Sequence, residues 1–124
     1  MMDHRQQVGG STGFLSVCLA KAYPEMGNFI VQDLADTIKQ GEAQLTPELR
    51  PRINFAAHDI FHTQPAVADV YILRHICHDW PDHRAAAIIA NLLPAMKPTS
   101  KILLIELAVR PPGVANGLAE RYVR

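Results

Sequence analysis

The sequence predicts an α/β fold with a mainly parallel sheet of the doubly wound type. Short apolar runs rich in β-branched residues recur along the chain, and segments of helix length separate most of them. A glycine-rich turn, VGGSTG at 8–13, stands directly before the first helix-like segment, as in sheets that bind ligands beyond their strand ends. The chain has 124 residues, enough for one hydrophobic core, so we expect one domain over 1–124.

The first half of the chain alternates between helix-like segments and strands. After the glycine turn, FLSVCLAKAY has apolar residues at helical spacing, with Thr12 available near the helix cap and Cys18 expected in the core. A strand follows at 28–33 (NFIVQD), then a helix in LADTIKQGEAQL, then a strand at 52–59 (RINFAAHD). This alternation favours parallel pairing of the strands.

The second half continues the alternation with one exception. Strands are predicted at 68–74 (ADVYILR) and at 100–107 (SKILLIEL), with a helix at 82–96 between them. The exception is the connection at about 60–67, which has the composition of a loop. The sheet is therefore expected to be mainly parallel, with one connection that contains no helix.

The segment before the glycine turn does not fit this scheme. A parallel sheet of this type needs an apolar strand that leads into the turn, yet residues 3–7 are Asp-His-Arg-Gln-Gln. We therefore expect the first strand to be missing or badly degraded.

Composition limits the classes of partner. Lys plus Arg equal Asp plus Glu at 12 each, and 48% of residues are hydrophobic, which argues against electrostatic binding of nucleic acid. No apolar run approaches the ~18 residues that span a membrane, and MMDHRQQ lacks the apolar core of a signal peptide. We expect a cytoplasmic protein in which Cys18 and Cys77 are free thiols.

Several polar residues lie where the predicted strands end, which is the ligand end of such a sheet. Gly9, Gly10 and Gly13 let the backbone turn tightly and approach a ligand beside a helix N-terminus. Asp33 follows Gly13 by about 20 residues, the spacing at which a carboxylate binds ribose hydroxyls. Capping of the next helix would explain Asp33 alone but not its distance from the glycines.

Two further strand ends carry candidate chemistry. Asp59 and Ile60 can bracket an adenine, although a plain turn aspartate explains Asp59 equally well. The fourth strand leads into RHICHDWPD, at 74–82, where two histidines, a cysteine and two aspartates are crowded. Zinc motifs such as Cys-x2-Cys or His-Glu-x-x-His are absent from this stretch, so we expect no metal. One of its aspartates, Asp79 or Asp82, is expected to cap the following helix, which leaves His78 unexplained.

Five ordered motifs resemble a known family. VGGSTG, VQDL at 31–34, HDIF at 58–61, LRHICHDWPD at 73–82 and LLIELAV at 103–109 resemble the S-adenosylmethionine-dependent O-methyltransferases of plant caffeic acid and fungal polyketide (sterigmatocystin-type) pathways. The fungal members look closest, on the HDWPD and QDL motifs. The resemblance covers about residues 8–113 and implies a Rossmann-like methyltransferase domain.

The resemblance implies a set of roles for individual residues. The cofactor would be S-adenosyl-L-methionine, and a small aromatic metabolite with a phenolic hydroxyl would accept the methyl group without a metal. His78 would be the general base and Glu106 an acidic residue that orients it. The residues implied to bind the cofactor are Gly9, Gly10 and Gly13 at its methionine part, Asp33 and Leu34 at the ribose, Asp59 and Ile60 at the adenine, and Arg74 as a nearby cation.

The sequence also departs from the family pattern. Gln7 stands where the family has an acidic residue, and the chain has no room for the family's N-terminal dimerisation domain or its C-terminal strands. We therefore expect a partial methyltransferase domain whose fifth strand is an exposed apolar edge. The alternative is a non-catalytic remnant with weak cofactor binding, and a nicotinamide dehydrogenase ranks last because it gives HDIF and HDWPD no role.

Trp80, His75 and Cys77 stay without an assigned function. Trp80 either walls the acceptor pocket or packs, and His75 and Cys77 are most simply core or turn residues.

Overall fold

The fold is a five-stranded parallel sheet with the strand order β3-β2-β1-β4-β5. The computed structural model describes residues 4–106. Every neighbouring pair of strands in this sheet is parallel, which confirms the predicted fold class. The strands are β1 (Arg5–Val8), β2 (Phe29–Asp33), β3 (Ile53–Ala57), β4 (Val70–Arg74) and β5 (Lys101–Ile105).

Three α-helices connect the strands: α1 (Phe14–Ala22), α2 (Ala35–Gln44) and α3 (Asp82–Ala90). The predicted helix at 82–96 is therefore too long. Pro94 explains the early end, because its ring nitrogen cannot donate to the carbonyl four residues earlier. A 3-10 turn over Leu93–Ala95 takes the place of the last helical turn.

The strand predicted to be missing is present, and that prediction is wrong. β1 lies at the centre of the sheet and pairs with β2 on one side and β4 on the other. Its two glutamine side chains are buried, with Gln6 only 1% and Gln7 only 5% exposed. Gln7 Oε1 accepts hydrogen bonds from the Ser16 hydroxyl at 2.6 Å and the Ser16 N–H at 3.3 Å, and Gln6 Oε1 lies 2.8 Å from His4 Nε2. A buried amide is tolerated once it is hydrogen-bonded, so a central strand need not be apolar.

The core has two parts, one on each face of the sheet. On the face of α3, Val8, Tyr71, Leu73 and Ile88 form one buried cluster together with Ala68 and Leu92. On the face of α1, the second cluster contains Ala20, Phe29, Val31, Leu45, Leu49 and Ile53. Helices therefore cover both faces, which leaves the carboxyl ends of the strands as the open edge where loops meet.

Helix α1 does not bury the residues expected from its apolar pattern. Ser16 and Ala20, one turn apart, are its buried residues, whereas Cys18 is exposed. Cys18 lies about 200° around the helix from Ser16, so burying the small pair turns the cysteine outward. The prediction that Cys18 packs in the core is wrong.

The expected helix caps are also not formed. Gly13 rather than Thr12 is the N-cap of α1, and a glycine has no side chain that could make a cap hydrogen bond. Pro81 occupies the N-cap position of α3, and Asp82 is the first helical residue. Asp82 therefore places a negative charge in the first turn of α3. This charge interacts favourably with the positive end of the helix dipole and stabilises the helix without a capping hydrogen bond.

The connection between β3 and β4 contains no helix or strand, as predicted. A pair of buried glutamines fixes it to the sheet, since Gln32 and Gln64 each donate an amide N–H to the other's oxygen at 2.8 Å. Gln64 also donates its backbone N–H to the Asn91 carbonyl. These bonds hold the segment that carries Asp59 and Ile60.

Across residues 4–106, none of the helices has the length and apolar character needed to cross a membrane. β5 forms one edge of the described sheet, and Leu103 on it is 47% exposed.

Candidate functional site

A cleft of about 370 Å³ opens at the carboxyl ends of the strands. Its wall combines two carboxylates, one histidine and several large apolar side chains. The lining residues are Gly9, Asp33, Leu34, His58, Asp59, Ile60, Phe61, Ile76 and Trp80. Five of these were predicted to bind the cofactor: Gly9, Asp33, Leu34, Asp59 and Ile60.

The three glycines of the turn have different positions. Gly9 lines the cleft with φ +64°, and a Cβ there would lie 2.8 Å from Ile76 Cδ1. Gly10 faces the interior, where a Cβ would lie 2.8 Å from Val31 Cγ1. Gly13 has φ +87° and begins α1. Gly10 and Gly13 therefore shape the turn, and only Gly9 reaches the cleft.

Asp33 ties the glycine turn to the end of β2. One carboxylate oxygen accepts the Ser11 N–H at 2.8 Å, and the other accepts the Leu34 N–H at 2.7 Å. A carboxylate offers about four acceptor positions, so these two bonds fix its orientation and leave capacity for a ligand. Two backbone N–H groups therefore hold the Asp33 carboxylate in a fixed orientation, in which it can accept hydrogen bonds from a ligand in the cleft.

Asp59 is both a turn residue and a cleft residue, so the two alternatives for it are compatible. Its Oδ1 accepts the Phe61 N–H at 2.9 Å, and its carbonyl accepts the His62 N–H at 2.9 Å. The same turn places Ile60 in the cleft wall.

Three cleft residues were not assigned to the site from the sequence, namely His58, Phe61 and Ile76, whereas Trp80 was left between a pocket wall and a packing residue. Burial lowers the pKa of His58, the positive charge of His62 lowers it further, and Asp59 opposes this shift. Trp80 packs edge-on against Phe61 with 4.8 Å between ring centroids. Phe61 lies in the HDIF motif and Trp80 in the HDWPD motif, close to the acidic residues of each. This proximity is the only feature of the sequence that could have indicated their place in the cleft.

Arg74 is not among the residues that line the cleft. Its guanidinium carbon lies 5.8 Å from the ring centroid of Phe14, at the start of α1. The cation is therefore placed over an aromatic ring beside the glycine turn.

The structure brings His78 and Glu106 together. His78 lies in a 3-10 turn over Cys77–Asp79, and its Nδ1 is 2.7 Å from Glu106 Oε1. The Cys77 N–H donates to Glu106 Oε2 at 3.2 Å, which fixes the carboxylate. The His78 side chain is 43% exposed and Glu106 only 16%, so the ring faces open space over a more buried acid.

A contact that the sequence did not indicate involves the other ring nitrogen. His78 Nε2 lies 3.0 Å from Asp79 Oδ1, so one imidazole stands between two carboxylates. His78 does not line the cleft itself, but Ile76 and Trp80 on either side of it do. Glu106 and the exposed Asp79 can both stabilise a positive charge on this ring.

His75 adjoins the same pair. It adopts φ +55°, an unusual value for a residue other than glycine, and its ring centroid lies 5.5 Å from that of His78. One ligand atom from each of His75, His78 and Glu106 lies within 4.8 Å of the others. Burial and the charge of Glu106 raise the pKa of the neighbouring Cys77 thiol, so this thiol stays protonated at neutral pH.

Comparison with curated proteins shows relatives from fungal biosynthesis. The chain is 42% identical over 118 residues to the O-methyltransferase FrzF of a Cladobotryum species, covering 94% of this chain and 27% of that protein. It is 40% identical over 119 residues to the grayanic acid biosynthesis cluster O-methyltransferase of Cladonia grayi, covering 94% and 26%. It is 47% identical over 107 residues to the Hps1-dma1 cluster O-methyltransferase of Dothistroma septosporum, covering 86% and 24%. The chain thus spans about a quarter of the length of these relatives.

Solved structures share the fold. LepI in complex with S-adenosylmethionine matches with a TM-score of 0.81 at 31% identity, over 93% of this chain and 29% of that one. The mitomycin 7-O-methyltransferase MmcR matches with a TM-score of 0.81 at 28% identity, over 92% and 34%. NcsB1, an O-methyltransferase solved with S-adenosylmethionine and 2-hydroxy-5-methyl naphthoic acid, matches with a TM-score of 0.79 at 29% identity, over 86% and 33%.

A family model described as the O-methyltransferase domain matches residues 2–119, nearly the whole chain. The parallel sheet, the glycine turn and the ordered strand-end acids agree with that match. The chain belongs to the O-methyltransferase domain family.

Proposed function

We propose that this chain carries the cofactor cleft and the catalytic base of an O-methyltransferase that methylates a phenolic hydroxyl of a small aromatic metabolite. The observation that carries the proposal is the 2.7 Å contact between His78 Nδ1 and Glu106 Oε1, beside the cleft that contains Asp33 and Asp59. No metal has a part in this scheme. Family membership and the fungal biosynthetic relatives support the reaction class.

The cleft fits S-adenosylmethionine, which LepI and NcsB1 hold in their solved structures. Asp33 offers a fixed acceptor for ribose hydroxyls, and Asp59 can accept from an exocyclic amine. Leu34 and Ile60 provide apolar surface for a base ring. Gly9 leaves room for a ligand at a point where any side chain would meet Ile76.

The other predicted cofactor residues have less direct support. Gly10 and Gly13 would act through the shape of the turn, and Arg74 would contribute positive charge from beside Phe14. Gln7 is bound to Ser16 in the interior, so it does not supply the ligand contact of the family's acidic residue.

The chemistry assigned to His78 is proton abstraction. When bound, the cofactor supplies an activated sulfonium methyl group. A phenol with a pKa near 10 is a weak nucleophile at neutral pH, so a base that removes its proton as attack develops contributes typically ~10²–10⁴ in rate. Glu106 fixes Nδ1 as the protonated nitrogen, which leaves Nε2 as the accepting atom once the phenol displaces Asp79.

A second candidate function is cofactor binding without methyl transfer. The contact of Asp79 with Nε2 favours it, because this contact occupies the atom that would accept the proton. A cytoplasmic location stays a prediction from the sequence.

The test compares His78→Gln with His83→Gln, a matched change at an exposed histidine of α3. Methyl transfer from labelled cofactor to a panel of phenols is measured together with cofactor affinity. We expect His78→Gln to lower transfer by about 10²–10⁴-fold with unchanged cofactor affinity, and His83→Gln to change neither. Equal transfer by His78→Gln and the unaltered chain would refute the base. Saturable binding with no transfer by the unaltered chain would support the second candidate.

A further inference from the structure

The turn after β4 and the end of β5 bring together three side chains with potential metal-ligand atoms, His75, His78 and Glu106, called here the His-Glu cluster. One ligand atom of each lies within 4.8 Å of the other two. The proposed methyl transfer uses two of these side chains and gives His75 no role.

The backbone holds His75 in this position. Its φ of +55° ends the extended backbone of β4 and changes the direction of the side chain. Its N–H donates to the Ile105 carbonyl at 2.8 Å. This hydrogen bond fixes His75 to the strand end that is followed directly by Glu106. The ends of the neighbouring strands β4 and β5 therefore position His75 and Glu106, and the 3-10 turn positions His78.

The donor set matches a particular class of cation. Two imidazoles and one carboxylate suit Zn²⁺ and similar first-row ions, whereas Mg²⁺ and Ca²⁺ prefer oxygen ligands. Tetrahedral zinc with Zn–N near 2.0–2.1 Å places its donors roughly 3.4 Å apart. Metal binding would therefore require a small approach of the donor atoms, in which the 43% exposed His78 moves towards a Glu106 that the Cys77 N–H holds.

We propose that the His-Glu cluster binds Zn²⁺ or a similar divalent transition-metal ion and that the ion inhibits the base. The metal binds the Nδ1 lone pair of His78 and the Glu106 carboxylate, and the proton that Nδ1 shared with Glu106 moves to Nε2. The ring then has no lone pair left to accept a proton from a phenol. Binding of the metal does not depend on the proposed function, whereas the inhibitory consequence does.

Binding is tested on the full chain without an affinity tag, because a polyhistidine tag would bind the same ions. Isothermal titration with Zn²⁺, with no cofactor or phenol present, is expected to give one saturable site. Mg²⁺ at the same concentration is expected to give none. Equal heat from both ions, or no saturable zinc site, would overturn the proposal.

His75→Asn identifies the site, because asparagine tolerates the positive φ and removes the imidazole. We expect it to weaken zinc binding by at least roughly tenfold, since changes outside the coordination shell already weaken metal binding 10–100-fold. His83→Asn is the matched control and should bind as the unaltered chain does. Far-UV circular dichroism of each variant verifies the fold. An unchanged affinity in a folded His75→Asn, or an equal loss in His83→Asn, would refute the assignment.

Chemical modification tests the effect on the base directly. Diethyl pyrocarbonate modifies neutral imidazoles, and peptide mass spectrometry gives the extent at each histidine. Zinc is expected to protect His78 and His75 and to leave the exposed His62 and His83 reactive. Equal modification of His78 with and without zinc would overturn the inhibition. Failure of this test leaves cofactor binding untouched, so it is distinguishable from failure of the proposed function.

Discussion

His78 lies between two carboxylates whose effects on it differ. Glu106 is only 16% exposed, is fixed by the Cys77 N–H and contacts Nδ1. Asp79 is 65% exposed and contacts Nε2. Glu106 orients the ring, whereas the Asp79 carboxylate can accept a hydrogen bond from Nε2 only when Nε2 carries a proton, so its contact favours the form of the ring that cannot take the phenolic proton. We therefore treat Glu106 as a positioning residue and Asp79 as a competing partner that a substrate must displace.

Replacing Asp79 with asparagine tests this distinction. The change removes the negative charge that holds Nε2, so the ring becomes more accessible. We expect diethyl pyrocarbonate to modify His78 severalfold faster in Asp79→Asn. Asp82→Asn, the same change at the start of α3, should leave the rate as it is. Slower modification of His78 in Asp79→Asn would contradict the competing contact.

At the scale of single residues, the sequence predicted what depends on strand ends. Asp33, Asp59 and Gly9 reach the cleft because parallel strands end at one edge of the sheet. The Asp79 contact and the left-handed backbone of His75 follow from the local geometry of a turn, for which the sequence carried no pattern. Gly10, Gly13 and Arg74 were also predicted near the ligand, but none of them lines the cleft.

Among the strands, β1 shows that a central strand can bury polar side chains in place of apolar ones when these side chains are hydrogen-bonded. Gln6 and Gln7 lie in the central strand, where the rule of apolar parallel strands predicts no strand at all. Ser16, buried on α1, supplies the partner of Gln7. That pairing joins residues nine positions apart in different elements, so a pattern within one strand could not reveal it.

Ser16→Ala should therefore destabilise the junction between β1 and α1. Gln7 Oε1 would keep only the longer bond from the Ser16 backbone, and an under-satisfied buried amide costs about 1–3 kcal/mol. Chemical denaturation should show a free energy of unfolding lower by about that amount. The double variant Ser16→Ala with Gln7→Leu should recover part of the loss, because both polar groups are then gone. An unchanged stability of Ser16→Ala would contradict this account of β1.

At the opposite end of the sheet, where the strands begin, Asp69 makes a charged contact that joins three segments. The Asp69 carboxylate accepts from Lys97 Nζ and from the His4 N–H, and these two bonds lower the pKa of Asp69, the lysine bond most. They join the start of β4 to the residue before β1 and to the turn before β5.

Because the folded-state pKa of Asp69 is lowered, its stabilising effect is present above the unfolded-state value, near 4, and is lost as the pH falls through the folded-state value. Asp69→Asn should therefore lower the free energy of unfolding at pH 7. The difference from the unaltered chain should shrink steadily below about pH 4. Denaturation at a series of pH values measures this. A difference that stays constant down to pH 2 would contradict the linkage.

At the scale of the whole molecule, the fold class could be predicted because it depends on the alternation of strands and helices. The strand order, with β1 at the centre, depends on contacts between distant segments, and the sequence pattern did not indicate it. Leu103 on β5, one edge of the described sheet, is 47% exposed, whereas the exposed apolar edge itself stays a prediction. The cleft and the His78–Glu106 pair nevertheless lie wholly within residues 4–106.

Calorimetric titration of the chain with S-adenosylhomocysteine measures whether the cleft binds the cofactor. We expect saturable binding that Asp33→Asn weakens by at least roughly tenfold, because a hydrogen bond to a charged group contributes about 1.5–3 kcal/mol. Asp36→Asn, the same change three residues away on α2, should bind as the unaltered chain does. Absence of binding at millimolar ligand, or equal affinity in Asp33→Asn, would contradict the account.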